Sequence, residues 1–252
     1  MKTIFEKIYI ISLISNKERQ KFIGYQFNEL GLDFEFIYGI DFINFKNIKF
    51  PNLFNNPPDR PQDFGCAITH YAAISQAYHL GYNNVLIIED DVCLTKDNEL
   101  IHYMLNNIPD DADFVTYDYR NSEIDEYNII NNININNSLD YIKLEYNHGF
   151  YGAAMFGIMN RQTMELYIKN QQQYINVADN IFGIFNNSKL NRYVSTKCLF
   201  VDQLIYKKRF INHDYSLLEY YDNLYLRMNK EKYDETYFFK PPVFNEISRE
   251  HF

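Results

Sequence analysis

Short apolar runs alternate with helix-like segments through the first ninety residues, and this order constrains the fold more than any other feature. The predicted elements are, in chain order, strand Lys7–Leu13, helix Asn16–Leu30, strand Phe34–Tyr38, helix Asp63–Leu80 and strand Val85–Ile88. Gly31 and Gly81 follow the two helices, where a C-terminal cap favours glycine. Strands that alternate with helices predict an α/β fold, with a mostly parallel sheet covered by helices on both faces.

The rest of the chain predicts fewer elements. Four of the seven prolines lie in residues 51–61, which predicts an irregular loop, and the Asn/Ile-rich run Asn128–Asn137 predicts a mobile loop. Further predicted elements are the strand Ala112–Tyr117, ordered structure over Phe150–Met159 and the helix Gln162–Lys169. We expect one domain over residues 1–205 and an aromatic-rich, helical extension over residues 206–252, with apolar residues near helical spacing in Asp214–Lys232.

Composition excludes several classes of function. The chain has 24 Lys and Arg against 33 Asp and Glu, a net charge of −9, and nucleic-acid binding calls for a basic surface instead. Its three cysteines, Cys66, Cys93 and Cys198, are odd in number and scattered, which favours a reducing compartment over a disulfide framework. No run approaches the roughly 18 apolar residues of a membrane-spanning helix, so we expect a cytoplasmic protein.

Three consecutive acids, Glu89-Asp90-Asp91, follow the predicted strand Val85–Ile88. Ligands of open α/β sheets bind beyond the carboxyl ends of the strands, and three neighbouring carboxylates repel one another unless a cation is present. Mg²⁺ or Mn²⁺ accepts one or two carboxylates and fills its other positions with water and phosphate oxygens. The alternative is an acidic turn that caps the next helix.

Several segments together resemble a known family. They are Ile10–Leu13 followed by Arg19, Leu30–Asp41, Gly65-Cys66-Ala67-Ile68-Thr69-His70, Val85-Leu86-Ile87-Ile88-Glu89-Asp90-Asp91, Gly152–Ile158 and Val177–Asp179. In this order they resemble the motifs of glycosyltransferase family 25. That family comprises the lipopolysaccharide and lipooligosaccharide galactosyltransferases and also includes the collagen hydroxylysine galactosyltransferases. The chain departs from the family pattern at Ser12, Phe156 and Ala178, and it lacks the glycine that follows Ile40-Asp41 in the family.

The resemblance implies an A-type glycosyltransferase fold, a UDP-sugar donor, usually UDP-galactose, and inversion at the anomeric carbon. It also implies that Mn²⁺ or Mg²⁺ bridges the acids and the diphosphate of the donor. Asp91 is then the expected direct metal ligand, together with Glu89, which should face the same way if the strand persists. Residues expected to contact the donor are Ser12, Leu13, Arg19, Asp41, Asp90 and Gly152.

Inverting transfer needs a carboxylate that takes the proton of the acceptor hydroxyl. The resemblance implies that Asp179 lies on the acceptor side, so Asp179 is the predicted base; its plain alternative is a helix N-cap. Glu89 is also a catalytic candidate, and Asp202 is a weaker one. Cys66 and His70 stand four residues apart on a helix, as zinc ligands can, but two ligands without partners are a weak metal signal. We interpret His70 as a residue that packs or holds the following loop. His148 is a candidate metal or phosphate contact.

We therefore expect an inverting hexosyltransferase that moves galactose from a UDP-sugar to a lipopolysaccharide, lipooligosaccharide or other surface-glycan acceptor. A lipid-linked acceptor would bring the protein to the inner face of the cell membrane, where the basic cluster Lys207-Lys208-Arg209 supplies weak attachment. One alternative is a protein glycosyltransferase that acts on hydroxylysine or another side chain. Another is a catalytically inactive module that keeps the fold and binds glycans.

Overall fold

The computed structural model describes residues 5–39, 41, 61–117, 140–144, 156–173, 189–206, 211–212 and 234–242. The strands are β1 Lys7–Leu13, β2 Glu35–Gly39, β3 Asn84–Glu89, β4 Val92–Leu94, β5 Phe114–Thr116, β6 Tyr141–Leu144, β7 Phe156–Asn160, β8 Arg192–Ser195 and β9 Phe200–Asp202. The helices are α1 Lys17–Glu29, α2 Pro61–His79, α3 Asn98–Asn106, α4 Arg161–Gln173 and α5 Gln203–Tyr206.

Seven strands form one mixed sheet in the order β2-β1-β3-β7-β5-β8-β6. The pairs β1–β2, β1–β3 and β5–β8 are parallel, whereas β7 and β6 are antiparallel to their neighbours. Five of the seven strands therefore run in one direction. The α/β class, with a mostly parallel sheet flanked by helices, is confirmed.

The first half of the sheet is built from two crossovers that run in opposite directions. The chain passes from β1 through α1 to β2 on one side of β1, and from β2 through α2 to β3 on its other side. Crossovers between parallel strands are almost always right-handed, and two such crossovers in opposite directions place α1 and α2 on opposite faces of the sheet.

Both faces of β1 and β3 are buried. In β3 the four residues Val85–Ile88 are at most 1% exposed, as expected for a parallel strand covered on two sides. Helix α1 contributes Phe22, Ile23 and Phe27 to the core, and α2 contributes Ala73, Ile74 and Ala77. In each helix the buried residues recur at the three- and four-residue spacing of one helix face.

Glycines allow the turns and close contacts that this arrangement needs. Gly31 and Gly81 have φ angles of 64° and 84°, as their predicted positions after α1 and α2 require. At Gly39, the last residue of β2, a Cβ atom would lie 2.8 Å from Thr69 Oγ1 in α2. A side chain there would displace the Thr69 hydroxyl, which donates to Gly65 O at 2.7 Å.

A second, two-stranded sheet continues from the end of β3. Its strands β4 and β9 are antiparallel, and Val92 pairs with Asp202. Residues 234–242 pack on β4: the Phe239 N–H donates to Leu94 O at 2.9 Å, Thr95 forms a bridge with Phe238, and Phe238 is fully buried. Residues 234–242 therefore pack on the strand that follows the three acids.

The predicted elements agree with the structure to within a few residues. The bounds of β1 are confirmed, and the predicted helix Asp63–Leu80 is α2, which begins at Pro61 and not after the predicted loop. Pro61 occupies the first helical position, which suits proline because the N–H it lacks would have no helical partner. The strands β4, β6, β8 and β9 and the helices α3 and α5 are additions that the sequence pattern did not indicate.

Several predictions lie outside the described residues. They are the loop over residues 51–60, the Asn128–Asn137 loop, residues 150–155, the basic cluster 207–209 and the Asp214–Lys232 segment. The boundary near residue 205 stays a prediction. Within the described ranges, no helix is long and apolar enough to span a membrane.

Candidate active site

The carboxyl ends of β2, β1 and β3 lie side by side. Leu13, the last residue of β1, pairs with Gly39, and Ile11 pairs with Glu89 at the end of β3. Asp41 is half-buried and follows the end of β2 by two residues. The predicted donor-binding positions of β1 and β2 therefore meet the three acids at one edge of the sheet, where α/β proteins bind ligands. We call Glu89, Asp90 and Asp91 the acid turn.

Asp90 is the most buried member of the acid turn, with a side chain only 6% exposed. The Ser12 hydroxyl donates to Asp90 Oδ2 at 2.5 Å, and Arg19 Nη1 lies 3.4 Å from Asp90 Oδ1. Burial raises the pKa of Asp90, although the Arg19 guanidinium and the Ser12 hydroxyl act in the opposite direction. Asp90 thus links the acid turn to β1 and α1.

Gln20 holds the β1 side of this network. Its side-chain amide donates to the Leu13 carbonyl at 2.6 Å and to the Ser12 hydroxyl at 3.2 Å. Since Gln20 is itself buried, the Ser12 hydroxyl is held in the orientation that serves Asp90. Sequence reasoning missed Gln20, which gives no more signal than any polar residue in a first helical turn.

Asp91 is more accessible than Asp90, with a side chain 17% exposed. Its Oδ2 lies 3.9 Å from Arg19 Nη1, so one guanidinium is close to two carboxylates. Helix α5 fixes the backbone of the turn, because the Gln203 N–H donates to Asp91 O at 2.7 Å and the Gln203 side-chain amide donates to Asp90 O at 3.2 Å. The turn is held from both sides, and the Asp91 side chain stays partly exposed although its Oδ1 atom is buried.

Glu89 has different surroundings. His70 Nε2 lies 2.9 Å from Glu89 Oε1, and the Cys66 thiol donates to the same oxygen at 3.3 Å. The Glu89 side chain is 24% exposed, whereas His70 is fully buried. Ligand atoms of the three residues all lie within 4.8 Å of one another. The sequence placed Cys66 and His70 on one helix face but did not show that Glu89 completes the group.

Gln26 supports the strand that follows the acid turn, and sequence reasoning missed it. Its fully buried amide donates from Nε2 to Val92 O at 3.0 Å, and the Leu94 N–H donates to its Oε1 at 2.6 Å. The side chain therefore pairs with β4 as a neighbouring strand would. A glutamine on the apolar face of a predicted helix is the only signal that could have indicated it.

A family model described as glycosyltransferase family 25 (LPS biosynthesis protein) matches residues 5–147, more than half of the chain. The chain belongs to glycosyltransferase family 25. The matched range contains β1 to β6, the acid turn and the Cys66–His70 helix. The predicted family is thereby confirmed, and with it glycosyl transfer as the class of reaction.

Comparison with solved structures finds a crystal structure of a glycosyltransferase involved in the glycosylation of the major capsid of PBCV-1. The match has a TM-score of 0.44 and 9% identity, and it covers 87% of this chain and 91% of that one. No curated protein matches the chain in a sequence comparison. The α/β sheet with flanking helices agrees with the A-type glycosyltransferase fold expected of this family 25 member.

The structure brings together six of the predicted site residues of this family 25 chain. They are Ser12, Leu13, Arg19, Glu89, Asp90 and Asp91. Asp41 follows the end of β2 by two residues. Asp179, Gly152 and His148 lie outside the described residues. For Asp202 the backbone position in β9 is described, opposite Val92 and next to the acid turn in the second sheet.

Proposed function

We propose that this family 25 glycosyltransferase transfers galactose from UDP-galactose, with inversion, to a lipopolysaccharide, lipooligosaccharide or other surface-glycan acceptor. The observation that carries the proposal is the acid turn at the joined carboxyl ends of three parallel strands, with Arg19 beside it. The family description, an LPS biosynthesis protein, supports the acceptor class.

The residues of the acid turn fit a hard divalent cation at Asp91. Its carboxylate is partly exposed at the sheet edge, and oxygen ligands of this kind suit Mn²⁺ or Mg²⁺. Water and diphosphate oxygens would fill the other coordination positions of the ion. Glu89 is the second candidate ligand. When bound, the cation would supply Lewis-acid stabilisation of the charge that develops on the leaving diphosphate.

The residues of the chain itself then have separate tasks. Arg19, close to both Asp90 and Asp91, is the proposed cationic contact of the diphosphate. Ser12, Leu13, Asp41 and Gly152 are the proposed remaining donor contacts, and Asp90 keeps the turn in place through Ser12. Catalysis by such a site rests on positioning the donor before the reaction begins.

We propose Asp179 as the base that accepts the proton of the acceptor hydroxyl. Inverting displacement puts the base on the face of the sugar opposite the leaving group, so the base should be separate from the diphosphate contacts. The variant Asp179→Asn is expected to keep donor affinity and to lose about 10²–10⁴-fold in transfer rate. Calorimetry for donor binding, with the transfer rate measured alongside, separates these effects; loss of donor binding in a folded variant would move the role of base to Glu89 or Asp202.

The donor is tested by offering the purified chain a panel of UDP-sugars with Mn²⁺ and detecting UDP and free sugar by mass spectrometry. We expect hydrolysis to be fastest with UDP-galactose and to disappear with a chelator. A panel in which another hexose is preferred would overturn the donor assignment, and no hydrolysis of any donor would favour a glycan-binding module. A second assay tests the acceptor class by comparing the transfer rate to lipooligosaccharide acceptors with the rate to a hydroxylysine peptide.

A further inference from the structure

We propose that Cys66, His70 and Glu89 form a binding site for a divalent transition-metal ion of the zinc class, held through thiolate, imidazole and carboxylate. The proposal goes beyond the glycosyl transfer proposed above, since a hard cation at Asp91 needs neither a thiolate nor an imidazole. Three protein ligands with one open position are typical of zinc sites that also bind water or a substrate.

The local fold explains why these three residues meet. Helix α2 is joined to β3 by the short turn at Gly81, so the two elements run antiparallel and the first half of α2 lies beside the carboxyl end of β3. Cys66 and His70 are four residues apart and therefore project from the same face of the helix. Glu89 ends β3 and points towards that face.

The separations are close to those of a metal site. In a tetrahedral zinc site, bond lengths of about 2.0–2.3 Å put the ligand atoms about 3.3–3.6 Å apart. Here Cys66 Sγ and Glu89 Oε1 are 3.3 Å apart, and His70 Nε2 and Glu89 Oε1 are 2.9 Å apart. Ligand atoms of all three lie within 4.8 Å of one another. Side-chain adjustments of a few tenths of an ångström up to about an ångström would open a space for the ion.

The donor set selects the class of metal. One sulfur, one nitrogen and one carboxylate oxygen suit borderline ions such as Zn²⁺ and Co²⁺, whereas Mg²⁺ takes oxygen ligands almost alone. On binding, Cys66 loses the proton that it now donates to Glu89, and that proton passes to the solvent. Thiolate and carboxylate then carry two negative charges, which a divalent ion balances beside a neutral imidazole.

Burial of the imidazole fixes which of its nitrogens faces the other two side chains. His70 is 0% exposed, and its Nε2 atom lies 2.9 Å from Glu89 Oε1. Its Nδ1 atom has no hydrogen-bond partner among the described residues. Because the two ring nitrogens point in different directions, an ion held through Nε2 would leave Nδ1 as it is, and Nδ1 is not part of the proposed site.

The test uses Co²⁺ as a spectroscopic probe for the full chain, freed of metal by a chelator and kept reduced. Thiolate bound to Co²⁺ gives an intense charge-transfer band in the near ultraviolet, which oxygen and nitrogen ligands do not give. We expect this band to saturate at one Co²⁺ per chain, to be displaced by Zn²⁺ and not by Mg²⁺, and to be absent in Cys66→Ser. Cys198→Ser is the matched control, since its buried thiol donates to Phe200 O and should leave the band unchanged.

A wild-type chain without the thiolate band would overturn the proposal, whether or not any variant folds. So would a band that persists in folded Cys66→Ser, or one that disappears in Cys198→Ser. A second variant, His70→Gln, should weaken Co²⁺ binding while retaining the band at high Co²⁺ concentration; unchanged affinity would remove His70 from the site. The assay contains no donor sugar, so its outcome is separate from success or failure of the proposed transfer reaction.

Discussion

Glu89 and Asp90 are neighbours in the chain with the same functional group, yet they lie in different chemical surroundings. Asp90 meets the hydroxyl of Ser12 and the guanidinium of Arg19, on β1 and α1. Glu89 meets a thiol and an imidazole on α2. Successive side chains at a strand end point to opposite faces, and the two crossovers place a different helix on each face.

This difference shows that the position of a carboxylate on the sheet, more than its sequence neighbours, decides its chemistry. On the α1 side, a cation and a hydroxyl support a buried carboxylate, which suits a structural anchor next to an anionic ligand. On the α2 side, a thiol and an imidazole surround a partly exposed carboxylate, which suits a metal. Asp91 lies beyond both and stays partly exposed, as its proposed role beside the donor diphosphate requires.

The largest effect on activity is expected for a substitution of Asp91, the proposed metal ligand, and not of its neighbours Glu89 and Asp90. In Asp91→Asn we expect metal-dependent hydrolysis of the donor to fall by about 10²–10³-fold, because a carboxylate ligand of the cation is lost. Melting temperature should stay near that of the wild type, since the side chain lies at a turn and is partly exposed. Turnover measured with and without Mn²⁺ gives the loss of activity, and thermal melting gives the change in stability.

Glu29→Gln is the matched control for that variant, because Glu29 is an exposed acid at the end of α1, away from the acid turn. It should keep full activity. Near-wild-type turnover in folded Asp91→Asn would remove Asp91 from the metal site.

The α1 side also holds β4, and Gln26→Leu tests this role. The substitution leaves the Val92 carbonyl and the Leu94 N–H without their buried partner, which should lower the free energy of unfolding by about 2–4 kcal/mol. Chemical denaturation measures the loss. Gln76→Leu, at an exposed position on α2 with bonds of 3.4 Å, should cost far less; equal losses would show that Gln26 does not support β4.

Ser12→Ala removes the hydroxyl that donates to Asp90. Hydrogen bonds to charged groups contribute more than neutral ones, so we expect the free energy of unfolding to fall by about 1.5–3 kcal/mol. Ser75→Ala provides the contrast on α2, because the buried Ser75 hydroxyl has no hydrogen-bond partner among the described residues. Ser75→Ala should leave the free energy of unfolding unchanged or raise it slightly. If Ser12→Ala and Ser75→Ala lowered it by similar amounts, the contact of Ser12 with Asp90 would contribute little.

The smallest effect is expected at the far edge of the sheet, where Asp111 joins β6 and β8 through Lys143 and Tyr193. The hydrogen bonds from Lys143 and Tyr193 lower the pKa of Asp111. A lowered pKa in the folded state stabilises the protein above the unfolded-state pKa, and this contribution is lost as the pH falls through the folded-state value.

Asp111→Asn should therefore lower the melting temperature slightly at neutral pH and not at all in strong acid. Melting curves of both proteins over that pH range, at low and high salt, measure the difference. A difference that grows in acid would contradict the assigned sign.

Prediction from the sequence worked best where a local rule applies. The bounds of β1, the helix stops at Gly31 and Gly81 and the strand before the acid turn follow from apolar spacing and backbone preference. Strand β4 escaped prediction because three residues carry no periodicity, and it exists through pairing with β9 and with the Gln26 side chain. Long-range pairs of this kind leave no pattern in a single sequence.

The sequence by itself determined the α/β class, the family and the position of three acids after a buried strand, because each depends on residues close together in the chain. Only the tertiary structure decided what each acid contacts. Cys66 and His70 lie about twenty residues before Glu89, and Ser12 lies 78 residues before Asp90. Chain crossovers bring these pairs together, and the handedness of a crossover is a property of the folded backbone that no single motif carries.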